Sequence, residues 1–454
     1  MSARTLALIG LIAFLPVCGA DDPRLAGSAR GAKGGWITVR LEGTPARIGF
    51  QHGYLLAPEI ADAIAVMKLS LTHDSKYDWA FLRKAAEQIL WPRIETEYRE
   101  ELQGIVDGLA ARKGKADLWD IVVLNANLEL PYYTATLDKN AKSAAQDHCS
   151  AFVATGRMTR DGKPVIAHNN WSGYLEGARW TVIFDIRPAK GNRILMDGFP
   201  GVIHSADDFG VNSAGIVITE TTISGFKGFL TSGIAEFVRA RKAMQYANSI
   251  DDFDRIMREG NNGGYANTWL IADMRTGEIG RLELGLKYVT LERTKDGYFT
   301  GANFPIDPRL TAEETDFDKN NPALSPNARR VRWEQLMEEN TGKIDVETGK
   351  RFMADHYDVI DKKPDSPNER TLCGHNELSP RGMRPWAEPF APVGTVQAKV
   401  TDAAMASKMQ LEASAGHACG IGFKAASHLE QYPQFDYLRP LLKDMPSRPW
   451  TSFP

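Results

Sequence analysis

The stretch Asp147-His148-Cys149-Ser150-Ala151-Phe152-Val153-Ala154-Thr155-Gly156 separates two kinds of hydrophobic periodicity, and it constrains the fold more than any other part of the chain. Before it the spacing is helical. Thr44-Pro45 supplies an N-cap and a first-turn proline, Ile48, Leu55, Ile60, Ile64 and Met67 follow on one face, and the pattern resumes over Trp79 to Leu109 and Leu118 to Leu130. After it the spacing is that of strands. Ala151 and Val153 alternate with Phe152 and Ala154, Arg160-Asp161-Gly162-Lys163 marks a turn, and the apolar run Pro164 to Ala167 leads into His168-Asn169-Asn170-Trp171. Two such runs joined through Asp-Gly predict a β-hairpin with Cys149 at one mouth and a polar cluster at the other.

Short strands are expected at Trp36 to Leu41, Trp180 to Arg187, Arg193 to Asp197, Val202 to Ser205, Gly215 to Thr222, Trp269 to Asp273, Gly280 to Leu284, Tyr288 to Arg293 and Tyr298 to Thr300. Helices are expected at Ile234 to Ala247, Ile250 to Arg258, Pro326 to Glu339 and Val346 to His356. Helices, then strands around two helices, then helices again favour an α+β layered sandwich over a doubly wound parallel sheet.

The polar stretch Asp138 to Gln146 has no periodicity and reads as a linker of the kind proteases cut. At the start, Arg4, the apolar run Leu6 to Val17 and the small residues Cys18-Gly19-Ala20 read as a secretory signal cleaved after Ala20. Val17 suits lipidation of Cys18 poorly. An exported chain of residues 21–454 keeps three of its cysteines; Cys373 and Cys419, each beside a glycine, are expected to pair as a disulfide and leave Cys149 as a free thiol. No later run is long enough to span a membrane. A formal net charge of −3 without a Lys/Arg cluster argues against nucleic acid as a partner.

Several residues could carry chemistry. A free cysteine at a strand head is a candidate nucleophile, and His168 a candidate base or donor. Asp207-Asp208-Phe209 and Thr219-Glu220-Thr221-Thr222 bracket a strand, and their acidic residues can orient a site. Asn267, at the head of another strand, can donate its amide N–H to an oxyanion. Cys373-Gly374-His375 is a single weak pair, so no metal is expected; no glycine-rich loop fits a nucleotide pattern, so no cofactor is expected either.

Cys149-Ser150-Ala151-Phe152-Val153, Ala167-His168-Asn169-Asn170-Trp171-Ser172, Phe199-Pro200-Gly201, Asp207-Asp208-Phe209 and Glu220-Thr221-Thr222-Ile223 stand in an order and spacing that resemble the phospholipase B-like family of N-terminal-nucleophile (Ntn) hydrolases. Gly43-Thr44-Pro45 with Gly49-Phe50-Gln51-His52-Gly53 is similar to the cysteine acyltransferases that process penicillin precursors. The resemblance runs from Gly43 to about Phe304. It implies a four-layer αββα Ntn-hydrolase sandwich with an N-terminal helical segment. It also implies self-cleavage between His148 and Cys149, giving two associated chains, 21–148 and 149–454. The freed α-amine of Cys149, with a reference pKa of about 8, would serve as base for its own thiol. In that reading Asn267 stabilises the oxyanion, His168, Asn169 and Trp171 line or orient the pocket, and Asp207, Asp208, Glu220 and Thr221 support it. The implied activity is an exported hydrolase of acyl esters or amides, phospholipids among them. Transfer to another acceptor, or a self-processed chain that only binds lipids or partners, are the alternatives.

Overall fold

The computed structural model describes residues 22–138, 149–206, 209–383 and 387–454. The expected signal, most of the linker with His148, and the Asp207-Asp208 pair lie outside these residues.

Strands β1 (Ala29–Lys33) and β2 (Trp36–Gly43) form a hairpin turned by Gly34 and Gly35, both at positive φ as a two-residue turn requires. Six helices follow: α1 (Pro45–Leu55), α2 (Ala57–Thr72), α3 (Trp79–Ala85), α4 (Thr96–Ala111), α5 (Leu118–Asn125) and α6 (Leu130–Thr136). After the linker come β3 (Ser150–Thr155), β4 (Val165–Gly173), the short α7 (Tyr174–Gly177), β5 (Val182–Pro188), β6 (Ile194–Gly198), β7 (Gly210–Asn212) and β8 (Ile216–Thr222). Helices α8 (Glu236–Tyr246) and α9 (Ile250–Arg258) precede β9 (Asn267–Asp273), β10 (Glu278–Leu284), β11 (Val289–Thr294) and β12 (Gly297–Gly301). The last part holds α10 (Pro308–Glu314), α11 (Ser325–Glu339), α12 (Val346–Met353), β13 (Val393–Asp402), α13 (Ala403–Ala406), β14 (Leu411–Ala415), α14 (Ala425–Gln431) and β15 (Thr451–Phe453).

The strands form two sheets, of nine strands in the order β1-β2-β5-β6-β7-β8-β9-β10-β11 and of six in the order β12-β3-β4-β13-β14-β15. Among the described residues, only the β2–β5 ladder is parallel. Alternation along each strand sends one set of side chains inward: Ala151, Val153 and Ile166 meet Val211, Val217 and Leu270 between the sheets. Phe152, Ala154 and Ala167 turn outward onto Trp333 of α11 and Phe352 of α12. On the far side, the outer face of the larger sheet is covered by α1 to α5, α8 and α9. The layers are therefore αββα, as the resemblance implies.

Two expectations change in detail. Val202 to Ser205 is a turn rather than a strand, because the Asn125 side chain takes up its backbone, accepting from Ile203 N–H at 2.8 Å and donating to Gly201 O at 2.9 Å. The run Trp79 to Leu109 breaks into α3 and α4 at a π turn (Ala86–Leu90) followed by Trp91-Pro92-Arg93, since Pro92 has no N–H to continue the ladder. The strand expected at Trp36 to Leu41 is β2, which with β1 lies at one end of the larger sheet ahead of the helices.

Helices α1 and α4 lie backbone to backbone. A Cβ on Gly49 would sit 1.9 Å from Glu101 O, one on Gly53 2.0 Å from Ile105 O, one on Gly104 2.4 Å from Ala46 O and one on Gly108 2.2 Å from Phe50 O. Between the α1 glycines, His52 points into the sheet, where its Nε2 accepts from Gly201 N–H at 2.9 Å. That joins the Gly49–Gly53 motif to Phe199-Pro200-Gly201, two motifs 149 residues apart in sequence. Burial pushes the His52 imidazole down to a pKa of about 3.

Gly53→Ala is expected to destabilise the fold by about 1–3 kcal/mol, because α1 and α4 must part to admit the methyl group; the urea midpoint measures it. Unfolded His52 takes up a proton near pH 6.5 while the folded group stays neutral down to about 3. Its contribution to stability is therefore complete above about pH 6.5 and is lost as the pH falls towards about 3. His52→Gln keeps a neutral acceptor for Gly201 and is expected to flatten this acid-side slope relative to wild type in unfolding curves between about pH 4 and 7.

Candidate active site

Cys149 stands at the head of β3, 1% exposed, with φ at +83°. A non-glycine residue in the left-handed region costs on the order of 1–3 kcal/mol and persists only where its surroundings impose it. Here the constraint is Arg329. Its Nη1 donates to the Cys149 carbonyl at 2.5 Å and to Ser150 Oγ at 3.1 Å, and its Nη2 donates to Asn303 Oδ1 at 2.9 Å. The guanidinium also stacks over Trp171, 4.3 Å from the ring centroid.

Strand β4 runs antiparallel to β3 with Ser150 opposite Asn169 and Ala151 opposite His168. Period-two alternation then sorts the His168-Asn169-Asn170-Trp171 cluster. His168 and Asn170 turn toward the thiol: the Cys149 sulfur, a His168 ring nitrogen and a Glu220 carboxylate oxygen lie within 4.8 Å of one another, and Sγ is 4.0 Å from Asn170 Oδ1. Asn169 turns the other way and donates to the carbonyls of Met353 and Leu372 at 2.8 and 2.9 Å. Trp171 serves as the platform for Arg329. Of the expected pocket residues, then, His168 faces the thiol, while Asn169 and Trp171 brace the strand from behind.

Glu220 on β8 accepts from Tyr265 Oη at 3.1 Å. Tyr265 is itself 2.5 Å from Thr222 Oγ1, and its phenol is held well above its ordinary pKa by burial, by Glu220 and by Cys149. Strands β8 and β9 pair Thr222 with Asn267. The Asn267 amide donates to Glu220 Oε2 at 2.8 Å and to Ala266 O at 3.1 Å. One of its hydrogens thus goes to Glu220 and the other to the Ala266 carbonyl, where the oxyanion role expected from sequence would need one turned to the substrate. The amide nitrogen without a hydrogen-bond partner beside the thiol is that of Asn170, and it is buried. Thr221 packs against Gly301 of β12, where a Cβ would lie 2.5 Å from its Oγ1.

Arg329 and Asn303 were missed from sequence. For Arg329 a signal existed: Ala328, Trp333, Leu336 and Met337 are the buried face of α11, and an arginine among them must find polar partners. For Asn303 there was none.

A cleft of about 630 Å³ lies alongside, walled by Met67, Leu71, Leu128, Leu175, Phe435 and Leu438, with Glu176 and Glu388 among its polar residues. Cys149 is not in its wall, but Tyr132, Ser172 and Tyr265 are, so the cleft reaches the Glu220 side of the cluster. Among the described residues, three groups could hold a metal ion: Cys149-His168-Glu220, His375-Glu377-His417 and His356-Cys373-His375-Cys419. Cys373 and Cys419 meet as expected, but as free thiols and not as a disulfide. No helix of the described residues is long and apolar enough to cross a membrane.

The αββα sandwich thus gathers a cysteine, a histidine and a carboxylate around the head of β3. The phospholipase B family model matches residues 67–447, and the chain belongs to that family. Phospholipase B-like protein C of Dictyostelium discoideum is 27% identical over 202 residues, 38% of this chain and 35% of the relative. An uncharacterized protein of Archaeoglobus fulgidus is 25% identical over 57% of this chain and 44% of its own length. Phospholipase B-like 1 of Bos taurus is 23% identical over 81% of this chain and 75% of its own. The chain thus spans less than half the length of the first two relatives. Among solved structures, a conjugated bile acid hydrolase variant from Clostridium perfringens aligns at 10% identity over 58% of this chain and 88% of its own, with a TM-score of 0.31.

Proposed function

We propose that this protein is an exported acyl hydrolase that cuts its own chain between His148 and Cys149 and then uses Cys149 as nucleophile on an ester or amide. The observation that carries the reading is the state of Cys149: a thiol at a strand head, on a backbone held at positive φ by Arg329, with His168 and Glu220 within 4.8 Å. In the first step the thiol attacks the carbonyl of His148. The C–N bond breaks, the acyl group passes to sulfur, and the nitrogen leaves as the α-amine of Cys149; water then hydrolyses the thioester. The amine, with a reference pKa of about 8, next takes the thiol proton so that the thiolate attacks the substrate carbonyl.

An oxyanion forms on the substrate oxygen and collapses as the alcohol or amine leaves with the proton held by the Cys149 amine, after which water hydrolyses the thioester; the unpartnered Asn170 amide is the donor we assign to the oxyanion. Asn267 and Tyr265 keep Glu220 in place beside the thiol. The apolar walls of the neighbouring cleft suit an acyl chain, in keeping with the names of the phospholipase B-like relatives.

Intact mass of the mature protein under denaturing conditions is expected to give two chains meeting at His148 and Cys149, and Cys149→Ala a single chain without acyl release from phospholipids or N-acyl amides. An active, uncut chain overturns the reading. In the same assay Asn170→Ala is expected to lose about 100–1,000-fold in turnover with both chains formed; wild-type turnover in that variant removes Asn170 from the oxyanion role. Arg329→Lys replaces a planar fork by a point charge and is expected to cost about ten-fold or more, equivalent to ~1.4 kcal/mol on the barrier.

A further inference from the structure

Two thiols and two imidazoles from distant parts of the C-terminal region converge on one point. Single ligand atoms of His356, Cys373, His375 and Cys419 all lie within 4.8 Å of one another. His375 and Cys373 are buried, and His356 and Cys419 are half-buried. We propose that these four residues bind one zinc ion in a closed, structural site.

The donor set is the first argument. Two sulfurs and two imidazole nitrogens are a tetrahedral zinc set, and they suit neither calcium nor magnesium, which take oxygen ligands. Bonds of about 2.3 Å to sulfur and about 2.0–2.1 Å to nitrogen would place the ligand atoms about 3.3–3.8 Å apart. The His375 Nε2 to Cys419 Sγ distance is already 3.5 Å, and the remaining pairs, all within 4.8 Å, need close in by no more than about 1.5 Å.

The surroundings are the second argument. A zinc-binding histidine usually presents one ring nitrogen to the metal while a carboxylate or carbonyl fixes the other. Both histidines here are held that way: His375 Nδ1 is 2.9 Å from Glu377 Oε1, and His356 Nδ1 is 3.0 Å from Asp365 Oδ1. The opposite nitrogen of His356, Nε2, is buried with no hydrogen-bond partner. The Ile421 N–H donates to the Cys419 sulfur at 3.4 Å, a contact that favours a thiolate there. Behind Glu377, Tyr174 Oη donates to its Oε2 at 2.5 Å and lies 2.9 Å from His417 Nε2. His417 and Glu377 are therefore engaged with each other through Tyr174, which leaves the Cys/His four as the metal-facing set.

With all four positions taken by protein, no substrate position is open, so the ion's work is architectural. Gly374, between two of the ligands, lies against the Trp171 ring so closely that a Cβ would sit 2.2 Å from it. Its carbonyl accepts from Thr395 N–H of β13 at 3.1 Å, and Leu372 O accepts from Asn169. The knot thus backs the same stretch of β4 that carries Arg329 on Trp171.

Elemental mass spectrometry of the purified mature protein, expressed with zinc present, is expected to find about one zinc per protein molecule. Cobalt exchanged into the same protein is expected to show tetrahedral d–d bands with thiolate-to-cobalt charge transfer. Zinc content should be lost in Cys419→Ser and in His356→Ala. Glu377→Gln should keep the site but bind zinc about 10–100-fold more weakly in chelator competition. A wild-type chain without metal whose peptide map joins Cys373 to Cys419 overturns the proposal. So does a cobalt spectrum without thiolate bands, or full zinc retention in Cys419→Ser, which would place the ion on His375, Glu377 and His417 instead. The cobalt spectrum is read on the wild-type chain and does not depend on any variant folding.

Discussion

A single buried guanidinium holds the candidate site together. Arg329 is fully buried, and a cation in that position is tolerated only when its donors are taken up. They are taken up by oxygens from separate segments: Ser325 one turn back on its own helix, the Cys149 carbonyl, Ser150 and Asn303. One turn forward, Trp333 seats α11 on the sheet, its ring 5.5 Å from Phe152 and 5.9 Å from Phe352. Because Phe152 and Cys149 belong to the same strand segment, the helix that packs the hydrophobic outer face also fixes the backbone of the thiol. Packing and chemistry are set by one contact surface.

The β3–β4 hairpin and the change from helix to strand at Cys149 were legible in the sequence because each rests on local periodicity, whereas the αββα layering came from the family resemblance. The gathering of His168 and Glu220 near Cys149 was legible too, through a linked set of short motifs. What local patterns do not carry is the sense of each side chain within a polar run. Asn169 and Trp171 were grouped with His168, yet on a strand they alternate with it and point at α12 and α11 instead. Arg329 and Asn303 escaped because their partners lie 180 and 81 residues away. Strands β13, β14 and β15 escaped because polar and small residues dilute their alternation; β13 carries Gln397 and Lys399, whose polar ends are both held by Asp197 of β6.

The cysteines illustrate the limit of counting. An odd number in an exported chain suggests one pair and one free thiol, yet Cys373 and Cys419 come together without forming that disulfide. The count says nothing of His356 and His375, the latter 44 residues before Cys419, which arrive at the same point and change the chemistry available to two adjacent thiols. Spacing rules for zinc are written for compact loops. A site assembled from a helix end, a short turn and a remote loop has no such spacing, and it appears only once the chain is folded.

The architecture also bears on what a cut before Cys149 would do. The segment ahead of it is not an appendage. Strand β2 is hydrogen-bonded in parallel to β5, from Ile37 beside Val182 to Gly43 beside Pro188, in the interior of the larger sheet. Trp36 and Val39 are buried, one between the sheets and one under the helices, and α1 and α4 close over the outer face with His52 bonded to Gly201. Breaking one peptide bond removes none of these contacts. It frees only the end of β3, where the backbone at Cys149 sits at positive φ, so cleavage would release local strain at the thiol while the ladder between β2 and β5 keeps both pieces in one sheet.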